Sequence, residues 1–158
     1  MNESAAVPVD ALMDAHPDPR RQFDFWVGEW DVFTPEGKKV GENRIEPLFD
    51  GGALAEHWSG AGGIRGTSIN AWEPVTERWH QTWVDSGGSL LLLDGGLVGG
   101  QMVLEGRAPA DDDPARMEQQ RITWTPNADG SVRQCWEVSA DGGATWRVAF
   151  DGRYRRRA

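Results

Sequence analysis

Two carboxylates in this sequence stand where acid–base chemistry could be done. Glu56 lies in the segment Ala53–Trp58 and Asp85 closes the segment Glu77–Asp85, and each falls on a tryptophan-bearing face, with Trp58 for Glu56 and with Trp79 and Trp83 for Asp85. In a partly dry cavity, desolvation and mutual repulsion would raise the pKa of at least one of them, which makes a carboxyl a general acid near neutral pH. The competing reading is structural: Glu56 accepts from an indole N–H, and Asp85 caps the turn Asp85-Ser86-Gly87-Gly88. Period-two alternation gathers further groups on the same faces. Leu54, Glu56 and Trp58 share one; Ser68, Asn70 and Trp72 the next; Trp79, Gln81, Trp83 and Asp85 a third. Later, Gln120, Ile122 and Trp124 align, then Val132, Gln134, Trp136 and Val138, then Trp146, Val148, Phe150 and Tyr154. A dry core would show only aliphatics and aromatics. This mixture of indoles with amides and carboxylates is the lining of a ligand cavity, with Trp58, Ser68, Asn70, Trp79, Gln81, Trp83, Gln134 and Trp136 as the expected ligand contacts.

Other chemistries find little support. His16, His57 and His80 have no metal-ligand spacing, and His57 and His80 fall on the faces opposite the tryptophans, so no metal is expected. The single Cys135 alternates with Arg133 and Glu137 on a solvated face, and no Gly-x-Ser-x-Gly elbow is present. The glycine pairs sit between strands and do not precede a helix, so no phosphate loop and no cofactor is expected. Arg121, Arg133, Glu137, Arg147 and Arg153 fall on the outer faces, which leaves the inner side without arginine or lysine.

The elements that must position these groups follow from the punctuation. The chain has 158 residues, 39% hydrophobic and 26% charged, with 20 glycines and a formal charge of −9. That suits one globular domain and is the wrong sign for non-specific nucleic-acid binding. No apolar run reaches the roughly 18–20 residues of a membrane helix. One cysteine excludes an internal disulfide. Residues 1–18 read as a mobile lead-in without a targeting signal, so a cytoplasmic location is expected. Asp18-Pro19 starts a short helix whose apolar face is Phe23, Trp26 and Val27, and Gly28 stops it. Beyond it, the segment after Gly28 and nine more, Val40–Phe49, Ala53–Trp58, Ile64–Trp72, Glu77–Asp85, Ser89–Leu93, Gln101–Glu105, Met117–Thr125, Val132–Ser139 and Thr145–Tyr154, read as strands. The turns between them include Asp50-Gly51-Gly52, Asp94-Gly95-Gly96, Asp129-Gly130 and Asp141-Gly142-Gly143. Roughly ten strands joined by hairpins make an all-β antiparallel up-and-down barrel over residues 19–155, with a two-sheet sandwich as the alternative and residues 156–158 a basic tail.

The string Phe23-Asp24-Phe25-Trp26-Val27-Gly28-Glu29-Trp30 resembles the opening of lipocalin-like (calycin) barrels, where a short helix leads into Gly-x-Trp on the first strand. It is similar to a bacterial family of small lipocalin-like domains. Further matching segments are Glu56-His57-Trp58, Gly66–Asn70, Trp79–Asp85 and Ser139–Trp146. The resemblance implies a barrel of about eight to ten strands around a cavity. It also implies that Trp30 plugs the closed end under an arginine of the last strand, for which Arg153 and Arg155 are the candidates. Ser139-Ala140-Asp141-Gly142-Gly143-Ala144-Thr145-Trp146 fits the Asp-box pattern SxDxGxTW, which implies a structural hairpin.

The expected function is therefore binding of a small hydrophobic or aromatic molecule, neutral or cationic, in a tryptophan-rich barrel. A fatty-acid carboxylate would lack a positive partner there and meet Glu56. The alternative is a cofactor-free isomerase, cyclase, hydratase or hydrolase with Glu56 as acid–base and Asn70, Gln81 and Gln134 orienting the substrate. A structural or adaptor role comes third.

Overall fold

A computed structural model describes residues 13–158, so the first twelve residues of the lead-in expected over residues 1–18 lie outside the described part. Ten strands form a closed antiparallel barrel. They are β1 (Gly28–Phe33), β2 (Lys39–Leu48), β3 (Ala53–Gly60), β4 (Arg65–Glu73), β5 (Arg78–Asp85), β6 (Leu90–Val98), β7 (Gln101–Pro109), β8 (Met117–Pro126), β9 (Val132–Ser139) and β10 (Arg147–Arg156). Each strand pairs with its neighbour in sequence, and β1 pairs with β10 to close the ring. The all-β antiparallel barrel expected from the alternation is the fold observed, and it is consistent with the lipocalin-like architecture that the resemblance implies. Among the described residues no helix is long and apolar enough to cross a membrane.

The opening helix is two 3₁₀ turns, Pro19–Arg21 and Asp24–Trp26. Asp18 caps the first by accepting the Arg20 N–H, with Pro19 at the start, as the sequence suggested. A 3₁₀ period of three brings positions i and i+3 into line. Phe23 and Trp26 accordingly stack at 4.8 Å. They sit at one end of the barrel with Trp79 and Trp124 edge-on or tilted around them. The segment before these turns is fastened from Asp14 onward. Its N–H donates to Leu97 O at 2.6 Å, and its carboxylate accepts the Gly99 and Gly100 N–H groups.

Trp30 completes this closed end, wholly buried, with its indole N–H donating to Trp26 O. The arginine over it is neither Arg153 nor Arg155. It is Arg156, 4.3 Å from the ring centroid, which also donates to Val27 O. Trp30 and Arg156 are partners across the β1–β10 ladder, so register selects the residue directly opposite. Gly28 serves this contact, since a Cβ there would run into the Arg156 guanidinium. The strand thus extends into what the sequence suggested as a tail.

Two local readings are corrected. Asp94-Gly95-Gly96 lies inside β6, and the β6–β7 turn is Gly99-Gly100, both at positive φ. Gly95 is bare because a Cβ would press on Val103 O of the paired strand. In β10 the register shifts between Val148 and Phe150, a β-bulge that turns the first part of the strand over. Val148 is therefore exposed while Arg147 and Ala149 reach the cavity. Trp146 lies on the outside, with the Arg121 guanidinium 3.9 Å from its ring centroid. The Asp-box hairpin forms as expected, with Asp141 accepting from Ser139 Oγ and from the Thr145 N–H and hydroxyl.

Candidate functional site

Above the aromatic plug the barrel interior holds one side polar and one side apolar. The polar side is a continuous hydrogen-bond chain across six strands. Gln81 Nε2 donates to Asn70 Oδ1 at 2.8 Å, Asn70 Nδ2 to Ser68 Oγ at 2.8 Å, and Ser68 Oγ to Glu56 Oε1 at 2.6 Å. From the other side Asn43 Nδ2 donates to Glu56 Oε2 at 2.7 Å and to Tyr154 Oη at 3.0 Å, and Tyr154 Oη donates to Gln134 Oε1 at 2.5 Å. The ladder explains the order, because Glu56 lies opposite Ser68 and Asn70 opposite Gln81. On both sides of Glu56 the bonds nearest it point toward its carboxylate, so the chain favours its ionised form. Burial acts the other way and prevails. Desolvation raises the Glu56 pKa above its ordinary 4.5 against the Ser68 and Asn43 hydrogen bonds. Burial, and then the charge of Glu56, push the Tyr154 hydroxyl well above 10.0.

A cavity of about 770 Å³ stands over this floor and is bordered by Glu56, Gln81, Gln134 and Tyr154. Its walls carry Trp58, Trp83, Trp136 and Phe150, all half-buried. Two of the indoles are held in place by hydrogen bonds, Trp83 Nε1 to Asp85 Oδ2 at 3.1 Å and Trp136 Nε1 to Gln120 Oε1 at 2.8 Å. Trp58 meets Phe150 edge-on at 6.0 Å. Glycines make room for two of the rings, since a Cβ at Gly66 would strike Trp83 and one at Gly41 would strike Trp58. Preset aromatic faces above a few placed polar groups can stack a flat molecule and orient it by hydrogen bonds.

The candidates named from the sequence divide into three groups. Glu56, Trp58, Gln81, Trp83, Gln134 and Trp136 border the cavity. Ser68 and Asn70 are wholly buried in the wall and reach the cavity only through Glu56 and Gln81. Trp79 belongs to the plug, its indole N–H donating to Gln22 Oε1 at 3.2 Å. Asp85 borders the cavity but not as a partner for Glu56. The ladders set Asp85 level with Gly66 and Trp58, two residues nearer the open end than Glu56. Its Oδ1 accepts the Gly87 and Ser89 N–H groups, and its Oδ2 the Trp83 indole. Burial alone would raise its pKa, but these bonds outweigh it and hold the carboxyl low. Asp85 is thus a turn cap that aims Trp83.

Four further contributors were not among the expected contacts, although Gln120 and Tyr154 already fell on the tryptophan-bearing faces. Asn43 and Tyr154 carry the chain beyond Glu56, Gln120 fixes Trp136, and Arg147 brings a cation to the mouth. Asn43 follows Gly41 and precedes Ile45 at alternate positions of β2, so the same alternation would have found it. Arg147 was hidden by the bulge. Its guanidinium donates to Glu118, only 5% exposed, which Arg116 also holds. Hydrogen bonds from Arg147 and Arg116 keep the Glu118 pKa low. His57 faces outward and bonds Glu46 at 3.0 Å. Among the described residues no group of three or more His, Cys, Asp or Glu side chains is placed to hold a metal ion. No protein-family model matches this chain, and no match is found among curated proteins.

Proposed function

We propose that this chain is a lipocalin-like binding protein that holds a flat aromatic molecule, neutral or cationic, in its barrel. The observation that carries this reading is the cavity of about 770 Å³ in which hydrogen-bonded Trp83 and Trp136 stand over Glu56, Gln81 and Gln134. A neutral ligand meets carboxamides able to donate or accept, and a cationic one meets a carboxylate that no cation of the protein neutralises. The arginines at the mouth are remote from that floor in strand register, so a fatty-acid head group on the floor would face Glu56 unpaired. The test is titration of tryptophan fluorescence with 2-methoxynaphthalene and 2-naphthylmethylamine. Saturable quenching by both supports the reading; absence of quenching alongside tight palmitate binding that ignores Glu56→Gln overturns it.

A second reading rests on Glu56 itself, a cavity-facing carboxyl whose pKa is raised by burial. It makes the same cavity the site of a cofactor-free isomerase, cyclase, hydratase or hydrolase, with Glu56 as acid–base. Glu56→Gln separates the two. Loss of turnover with affinity kept within a few-fold identifies the enzyme.

A further inference from the structure

β6 and β7 pair from Val98 opposite Gln101 as far as Leu93 opposite Gly106, and no further. Beyond that point both strands continue, β6 held only by β5 and β7 only by β8. Leu90–Leu92 and Arg107–Pro109 therefore run along one another without a ladder. Leu90, Leu92, Arg107 and Pro109 alternate with the inward Leu91 and Ala108, and are themselves exposed. Yet all four border the cavity. A side chain that points away from the lumen borders it only where the wall is open. The cavity thus opens sideways through a seam as well as at the mouth.

The seam has a definite chemistry. Paired strands lie about 4.8 Å apart, so a slot widening from a paired end admits a thin chain before it admits a ring. One lip is apolar, with Leu90 and Leu92 each 56% exposed, and the other carries Pro109 beside Arg107. An added peptide strand suits it poorly, because Pro109 has no N–H to pair and the free stretch on each lip is short. We infer that the seam is a second subsite, taking an unbranched aliphatic chain borne by the aromatic ligand of the cavity. This rests on the binding function proposed above.

The experiment compares 2-methoxynaphthalene with 2-hexyloxynaphthalene, both read by tryptophan quenching. The wild-type protein gains about tenfold or more in affinity from the longer chain, each buried methylene being worth up to about fourfold. In the double variant Leu90→Asn, Leu92→Asn the ratio of the two affinities falls toward unity. A second measurement does not depend on stability. With Cys135→Ser removing the native thiol, Leu90→Cys places a thiol on the lip, and maleimide labelling of it is slowed by the hexyloxy compound and not by the methoxy one. A ratio unchanged in the double variant, or equal protection by both compounds, overturns the seam while leaving the cavity standing. Failure of 2-methoxynaphthalene to bind overturns the cavity reading and the seam with it.

Discussion

Glu56 has a carboxyl that the barrel meets with hydrogen bonds while burial disfavours its charge. Its oxygens accept from Ser68 Oγ and Asn43 Nδ2. Because its folded pKa lies above the ordinary 4.5, the native state binds this proton more tightly than the unfolded chain does. Its contribution is therefore fully present below pH 4.5 and is lost as pH rises through the folded value. Glu56→Gln keeps the hydrogen bonds, with its oxygen toward Asn43 and its amide toward Ser68. The variant should match the wild type at pH 4 and melt higher at pH 8, measured by thermal unfolding across that range. A gap that shrinks with rising pH would show that the carboxylate is compensated. Trp83 makes the matching case for the ligand. Trp83→Leu removes a stacking face held by Asp85 and should weaken 2-methoxynaphthalene by about 1–3 kcal/mol.

Between the residue and the barrel stand the hairpins, and two predictions belong to them. The Asp141 carboxyl is held at about 2 by the Thr145 hydroxyl and N–H and by Ser139. A depressed carboxyl stabilises above its unfolded pKa and loses that contribution as pH falls through about 2. Asp141→Asn should thus lower the melting temperature at pH 7, and the gap to wild type should close on acidification toward pH 2. In the β4–β5 hairpin, Gly66→Ala drives a methyl into the Trp83 ring. The indole must leave Asp85, so emission shifts and ligand affinity drops; an unchanged spectrum would mean the ring has another resting place. These elements also mark what the sequence could reveal. Uninterrupted alternation made Glu56, Gln81, Trp83 and Gln134 legible, because one face of a strand is a simple count. The count failed in β10, where one bulge reverses the face and hides Arg147 behind an apparent outer position. It failed again at Asp94-Gly95-Gly96, since glycine spells a tight turn and a close strand approach alike.

At the scale of the whole molecule, the sequence pointed to a closed barrel but concealed the register in which it closes. Asn43 and Tyr154, 111 residues apart, meet only because β1 and β10 zip the ring shut, and Arg156 finds Trp30 for the same reason. Every other ladder joins consecutive strands. That asymmetry has a kinetic consequence. Local hairpins form early at small entropic cost, whereas the last ladder must gather the two ends of the chain and forms late. Contacts made after the rate-limiting barrier govern escape from the native state and leave the approach to it unaltered. Arg156→Ala should therefore speed unfolding about two- to fivefold, the weight of an exposed cation–π contact, with the refolding rate unmoved in stopped-flow denaturant jumps. A slowed refolding limb would place closure before the barrier. With the limb unmoved, the lifetime of the native barrel is set where its first strand meets its last.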